Sequence, residues 1–392
     1  MHPADRIAGT TGQQLSGKRV LLCVTGSIAA VESIRLARLL RRHGAEVIPL
    51  MSEAATHIIS PEALHFATGV ETVTALTGAV EHISLLREED CTVLVAPATA
   101  NIVSKIACGL ADDAVSTLCL NALGMKVPII IAPAMGESMI RNPFLAANTQ
   151  KLARQGVQIL PSIVEEREAK LLSPDFVLEA VIRTLSRGLL RRRHMLVIGG
   201  ASEEAVDDVR FISSHSSGQT AVEIATVAYE QQATVEMWCG RMEIIPPPFL
   251  TVSNFRGVRE LSSMIKKRKY DIVAVPASLS DFLPRKKEGK IPSSAPPVIE
   301  TSRAPKIVEQ LRPRSKVLIG FKAEVTDDKT LVERAEKRMR EVEMDMVVAN
   351  NPLHVSRERT SAFIVTAAGK EKYEGTKRGL ADRIIELAAG LK

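Results

Sequence analysis

The stretch Ser216-Ser217-Gly218 opens a helical pattern that runs on from Thr220. Hydroxyls, unpaired backbone N–H groups and the positive end of a helix dipole then converge on one point. Such a convergence cradles an anion, most often a phosphate. Upstream, the apolar run Met195-Leu196-Val197-Ile198 ends in Gly199-Gly200, as a buried strand does on leaving its sheet. An ordinary serine N-cap after a loop would read the same way. A second turn of this kind is Val24-Thr25-Gly26-Ser27-Ile28. Gly26 allows close backbone approach, and Ser27 can both cap a helix and bond a phosphate oxygen. The turn is not Gly-x-Gly-x-x-Gly, which favours a mononucleotide over a dinucleotide. Ala96-Pro97-Ala98-Thr99-Ala100-Asn101 follows another apolar strand, and open parallel sheets bind ligands beyond the carboxyl ends of their strands. Thr99 and Asn101 there suit a ligand or a helix cap, and the two uses are compatible.

The elements that must position these residues alternate along both halves. In the first, strands are expected at 19–24, 46–50, 92–96, 127–132 and 157–160, with helices at 27–42, 102–123 and 142–155. Near-continuous Val/Ile/Leu strands between amphipathic helices imply a parallel sheet covered on both faces. The basic run Arg187 to His194 interrupts the rhythm and reads as a linker rather than a nucleic-acid patch, because its arginines have no interleaved aromatics. The expected domains are therefore 1–186 and 195–392. In the second, strands are expected at 195–198, 234–238, 271–275, 316–320 and 345–349, and helices at 220–231, 257–267, 329–342 and 377–391. Between them, Leu283 to Pro297 is rich in Pro, Gly and Lys. A loop of this length in a compact domain is either functional or disordered. Lys290, with Lys286 and Lys287, could close over phosphates or belong to a solvated charge run.

Composition excludes several classes. The 392 residues suffice for two cores. Aromatics at 3% are too few for recognition of nucleic acid by base stacking. A net charge of +6 suits anionic small molecules or merely aids solubility. The five cysteines lie far apart in apolar segments with no Cys-x-x-Cys, so they read as buried thiols of a reducing cytosol rather than a zinc site or a disulfide framework. No apolar run is long enough to span a membrane, and the start lacks the apolar core of a signal peptide. A cytoplasmic enzyme of small molecules, with no nucleic-acid or membrane partner, is expected.

The run Asp208-Val209-Arg210-Phe211-Ile212-Ser213-Ser214-His215-Ser216-Ser217-Gly218 resembles the signature of phosphopantothenate–cysteine ligase. The first half resembles the flavin-dependent phosphopantothenoylcysteine decarboxylases. In this order the two resemble the bifunctional enzymes of coenzyme A biosynthesis, with an archaeal-like cast, over nearly the whole chain. The resemblance implies two doubly wound α/β domains, the first flavodoxin-like and the second Rossmann-like. It implies FMN held by Gly26, Ser27, Ile28, Ser52, Ala98, Thr99, Ala100 and Asn101, and a catalytic histidine at His82. Near neutrality, a histidine can move protons while the flavin oxidises the cysteinyl side chain and carbon dioxide leaves. Ala134 and Met135 belong to a substrate-binding motif whose asparagine is replaced here by Gly136, which has no side-chain donor. The family's flap cysteine is missing from Glu165–Pro174, and Lys170 is the candidate proton donor in its place.

For the second half the resemblance implies an acyl-nucleotide, formed with loss of pyrophosphate and then attacked by the cysteine amine. Mg²⁺, basic side chains and backbone amides would surround the triphosphate. The substrate site falls on Ser214, Ser216, Ser217 and Gly218, where Ser214 replaces an asparagine common in bacterial members. The nucleotide site falls on Val275, Pro276, Ala277, Asp281, Lys290, Pro305, Lys306, Ile307, Val308, Phe321 and Arg338. Lys290-Ile291-Pro292 lacks the second lysine of bacterial Lys-Ile-Lys. CTP is expected over ATP because the fused architecture is shared with CTP users, and the metal ligands stay unassigned. Members assemble as decarboxylase trimers and ligase dimers, so a homo-oligomer is expected. Two other readings stay open: a ligase whose flavin-binding first half has no turnover, motivated by Gly136 and the absent cysteine, and a non-catalytic flavin-binding regulator.

Overall fold

A computed structural model describes residues 1–165, 168–170, 172–265, 268–292, 298–356 and 358–391, without the side chains of 163–165 and 168–170. The chain divides into two compact units, Met1–Ser186 and Arg187–Lys392.

In the first unit, strands β1 (Arg19–Val24), β2 (Glu46–Met51), β3 (Cys91–Ala98), β4 (Ile129–Pro133) and β5 (Gln158–Ile159) form one parallel sheet in the order β2-β1-β3-β4-β5. Both faces are covered. Val20, Leu22 and Val24 of β1 enter one core and Leu21 and Cys23 the other, as the two-residue period of a strand requires. The longer helices are α1 (Ser33–Arg42), α2 (Pro61–Thr68), α3 (Ala100–Cys108), α4 (Ala114–Gly124), α5 (Pro143–Arg154) and α6 (Pro174–Leu185). The chain reverses direction across the sheet between β1 and β3. Such switch points open a crevice at the carboxyl ends of the strands.

Two expected helices change form here. The one expected from Ser27 starts as a 3₁₀ turn, Ile28–Glu32, and becomes α-helical at Ser33. The one expected over 102–123 is two helices. Gly109, at φ +74°, ends α3 in the left-handed region, and Asp113 caps α4 by accepting the Ser116 N–H at 2.8 Å. An apolar period carried across the break hides a turn that Gly109 and two aspartates announce.

In the second unit, β6 (His194–Gly199), β7 (Thr234–Cys239), β8 (Thr251–Asn254), β9 (Tyr270–Val275), β10 (Ser315–Ala323), β11 (Met346–Asn350), β12 (Arg359–Thr366) and β13 (Gly369–Thr376) form one sheet in the order β8-β7-β6-β9-β10-β11-β12-β13. The first six strands are parallel and have the doubly wound order, with the switch point between β6 and β9. The last two add an antiparallel hairpin that the strand–helix rhythm does not predict. Along β13 the residues alternate exposed and half-buried, so no apolar run marks it. The longer helices are α7 (Gln219–Glu230), α8 (Val258–Met264), α9 (Asp328–Val342) and α10 (Lys377–Gly390). Helix α8 is shorter than the expected 257–267; residues 266 and 267 lie outside the described set.

The basic run 187–194 is not a free linker. Leu190 is fully buried in the second unit and its N–H donates to the Gln231 carbonyl at 2.9 Å. Arg193 donates to the Ala389 carbonyl at 3.1 Å, setting a cation on the carbonyl end of α10. His194 already belongs to β6.

Candidate functional site

A cavity of about 600 Å³ opens at the β1/β3 switch point of the first unit. Thr25, Gly26, Ser27, Ser52, Thr99, Ala100 and Asn101 line it, with Ala134 and Met135 from the end of β4. Its geometry begins with Thr25, which the motif reading passed over. The buried Thr25 hydroxyl donates to the Pro97 carbonyl at 2.7 Å and accepts the Thr99 N–H at 3.1 Å. It thereby ties the turn after β1 to the turn after β3. Thr99 in turn caps α3, accepting the Ile102 N–H at 3.3 Å.

Gly26 is required by protein packing. A Cβ there would lie 2.5 Å from the Ala54 Cβ. The Ser27 hydroxyl donates to the Ala134 carbonyl at 3.0 Å, so its proton holds the loop after β4. Ser52 and Asn101 remain available, because Ser52 makes no capping bond and Asn101 is exposed on the first turn of α3. Lys105, one turn further, sits between Asp112 at 2.8 Å and Asp113 at 2.9 Å, and all three line the cavity. Asp112 and Asp113 hold the Lys105 ammonium above its usual range, so it stays a cation at the cavity wall.

Other expected positions fall elsewhere. Ala98 is fully buried, and Ile28 is 79% exposed on the 3₁₀ turn; neither lines the cavity. His82 sits on the short helix Glu81–Ser84, also outside this cavity, and its Nδ1 is buried without a hydrogen-bond partner. Gly136 caps the short helix Glu137–Ile140 in an extended conformation, with open space where a side chain would stand. The Lys170 backbone pairs with Ile163 in a two-stranded ribbon, and its side chain lies outside the described residues.

A second cavity, of about 500 Å³, opens at the carboxyl ends of the strands of the second unit. Ser216, Ser217 and Gly218 line it from one side, Pro276, Ala277 and Asp281 from another, and Phe321 from the end of β10. Gly218 caps α7 at φ +80°, and a Cβ there would meet Met242 Cε at 2.3 Å. Only glycine satisfies both constraints. Having no side chain, it leaves the first turn of α7 open to the cavity. The Ser217 hydroxyl accepts the Gln219 N–H at a long 3.4 Å and keeps its own proton for a guest. Gly200, at φ +80°, has no room for a side chain: a Cβ there would lie 2.8 Å from the Arg241 carbonyl oxygen and 2.9 Å from that of Gly240.

Asp281 is ion-paired with Lys306 at 2.5 Å, which brings Lys306 to the cavity's edge. Ser214, Val275, Lys290, Pro305, Ile307, Val308 and Arg338 do not line the cavity. Val275 and Ile307 are core residues, and the Arg338 guanidinium is bonded to Glu309 at 3.4 Å and Glu341 at 3.7 Å. His215, Lys322 and Asn350 line the cavity as well, although His215 had no role within its motif and the other two lay outside the expected site. Their signal is position: Lys322 and Asn350 lie at the carboxyl ends of β10 and β11, and His215 precedes α7. Among the described residues no three His, Cys, Asp or Glu side chains cluster as a metal site, and no helix is long and apolar enough to cross a membrane.

Comparison with known proteins agrees with this division. The Flavoprotein family model matches residues 8–186, and the model of the DNA/pantothenate metabolism flavoprotein C-terminal domain matches residues 190–391. The coenzyme A biosynthesis bifunctional protein CoaBC of Thermococcus kodakarensis is 38% identical over 397 residues, 98% of each chain. That of Methanocaldococcus jannaschii is 36% identical over 395 residues, 98% of this chain and 97% of its own. The Escherichia coli (strain K12) protein of the same name is 28% identical over 359 residues, 86% of this chain and 87% of its own. With both units matched and this identity along nearly its whole length, the chain belongs to the family of bifunctional coenzyme A biosynthesis enzymes.

Proposed function

We propose that the second unit ligates 4′-phosphopantothenate with L-cysteine using CTP, and that the first decarboxylates the product on FMN to 4′-phosphopantetheine. One observation carries the pairing: each unit presents, at its own switch point, a cavity of nucleotide size opening on a helix N-terminus.

In the second unit the α-phosphate of the triphosphate is the electrophile, and pyrophosphate leaves as the acyl-nucleotide forms. The cysteine amine then attacks the acyl carbon and the nucleotide monophosphate departs. The open first turn of α7 and the Ser217 hydroxyl supply donors to phosphate oxygens. Phe321 offers an apolar wall to a base, and the Asp281–Lys306 pair offers one group of each sign at the same rim. Mg²⁺ would ride on the triphosphate, keeping several waters and taking at most one or two carboxylates.

In the first unit a flavin fits the residues present: the Ser52 hydroxyl and Asn101 amide are unspent at the cavity wall. Bound there, it supplies a hydride acceptor and donor. Thr25 and Thr99 keep the two turns in register, and Ser27 holds the loop that bears Ala134 and Met135. His82 serves a site completed by a second copy of the chain. Its surroundings support that reading: Val80 and Ile83 are 47% and 53% exposed, as apolar groups are at an uncovered interface. Both reactions belong to the cytoplasm.

The decisive experiment incubates the chain with phosphopantothenate, cysteine, Mg²⁺ and either CTP or ATP, and follows products by mass. Pyrophosphate and phosphopantetheine are both expected. A ligase with an inactive first unit is favoured by Gly136, which leaves open space where a carboxylate-holding side chain would stand. Carbon dioxide release from phosphopantothenoylcysteine rejects that second reading.

A further inference from the structure

Beyond the end of β6, residues Glu203–Ala205 and Phe211–Ser213 pair as an antiparallel ribbon whose second strand runs on into the cradle. Its tip, Val206–Arg210, grips the segment 286–291 at several points. The Asp207 carboxylate, 2% exposed, accepts the Val209 N–H at 2.8 Å and the Arg210 N–H at 2.6 Å on one oxygen, and the Ile291 N–H at 3.1 Å on the other. Asp208 accepts the Gly289 N–H at 2.7 Å and pairs with Lys286, also at 2.7 Å. The Lys287 N–H donates to the Val206 carbonyl at 3.0 Å, and the Arg210 guanidinium to the Ile291 carbonyl at 3.0 Å. Within this segment Lys287 and Lys290 are exposed, and no ion pair holds either ammonium among the described residues.

Two features point past simple loop stability. Two carboxylates so near the cradle would repel an anionic guest, yet each accepts a hydrogen bond from the lysine-bearing segment, which leaves Lys287 and Lys290 as the exposed charges without an ion pair among the described residues. The backbone N–H groups on Asp207, and Lys286 beside Asp208, hold both carboxyls below the usual range, so both remain anions at working pH. The same ribbon also ends in Ser216-Ser217-Gly218. Neither aspartate lines the cavity.

We propose that Asp207 and Asp208 are positioning residues for the nucleotide step: they clip the Lys290-bearing loop to the ribbon that ends in the phosphate cradle, so one element sets both. Asp207 is the buried, permanent anchor and Asp208–Lys286 the exposed, reversible one. The proposal rests on the ligase reading of the second unit.

The test uses the full chain with Asp208→Asn, Asp208→Glu, Lys286→Gln and the Asp208→Asn/Lys286→Gln double variant. Tryptic cleavage after Lys290, without nucleotide, reads the clip directly. Pyrophosphate release reads KM for CTP apart from kcat and from KM for cysteine. Asp208→Asn is expected to speed cleavage and raise KM for CTP by about five- to tenfold, from loss of an ion pair and a charge-assisted hydrogen bond. KM for cysteine and flavin content stay unchanged, and Asp208→Glu recovers part of the loss. The double variant is expected to be no worse than Asp208→Asn, since both changes remove one pair. Cleavage and KM for CTP within twofold of the unaltered chain would overturn the clip. So would a fall in kcat alone, which would place Asp208 in the chemistry. If the unaltered chain releases no pyrophosphate with CTP or ATP, the ligase reading fails and takes the nucleotide role with it, whereas the tryptic result still decides whether the clip exists.

Discussion

Thr25→Val tests whether one buried hydroxyl holds the first cavity together. The hydroxyl both donates to Pro97 and accepts from Thr99, and the residue is 2% exposed. Valine fills nearly the same space but leaves a carbonyl and an N–H without their partner. An unsatisfied buried group costs about 1–3 kcal/mol. The Thr99 N–H lies at a half-open cavity wall and can turn toward water, so the lower end applies to it, and about 2–3 kcal/mol is expected in all. For a unit of this size that lowers the unfolding midpoint by about 5–10 °C. Because the lost bonds join the two turns that line the cavity, flavin affinity should fall by about tenfold or more, the equivalent of 1.4 kcal/mol. Thermal unfolding of the flavin-free chain by circular dichroism measures the first effect, and quenching of flavin fluorescence the second. Thr25→Ser keeps the hydroxyl and should retain most of both. Stability within about 0.5 kcal/mol of the original, with twofold or smaller loss of flavin, would refute the reasoning. A serine variant as damaged as the valine one would assign the role to the methyl group instead.

Gly218→Ala forces a left-handed residue at a cost of about 1–2 kcal/mol and drives its Cβ into Met242; pyrophosphate release should fall more than tenfold while flavin binding by the first unit holds, and an unchanged rate would disprove the cradle. Asp271 accepts the His194 N–H at 2.9 Å and pairs with Lys316 at 2.7 Å, which holds its carboxyl below the usual range. Its contribution is complete above the unfolded carboxylate pKa and disappears as pH falls through the lowered one, so Asp271→Asn should reduce the unfolding midpoint near neutrality and match the original chain in strong acid. A gap independent of pH would contradict this. Lys377 is 6% exposed at the first residue of α10, where burial lowers its pKa and the helix dipole disfavours a cation. Lys377→Met should therefore raise the midpoint by about 1–2 °C near neutrality. The gain should shrink as pH rises toward the ordinary lysine range, because the folded chain already favours the neutral amine; destabilisation by methionine would show that attraction to Glu223 outweighs burial.

Much of the fold was legible because the central strands are buried on both faces. Such strands must be apolar throughout, so β1, β3, β6 and β9 stand out between amphipathic helices. The hairpin β12–β13 was not legible, since β13 lies at the sheet edge and half of it faces water. The two turns were visible through Gly26, Ser27 and Ser216–Gly218, but not what their hydroxyls do. Ser27 spends its proton on Ala134, a residue far along the chain.

By itself, the order of residues determined which family this chain belongs to, the strand–helix alternation and the two turns able to face an anion, because motif chemistry and burial periodicity are local. Only the tertiary structure decided that Thr25 joins two turns, that Asp207 and Asp208 grip the lysine loop, and that His82 and Arg338 stand away from the cavities of their own units. These depend on pairings between distant segments, where the strand order sets who meets whom, and no local pattern encodes that order.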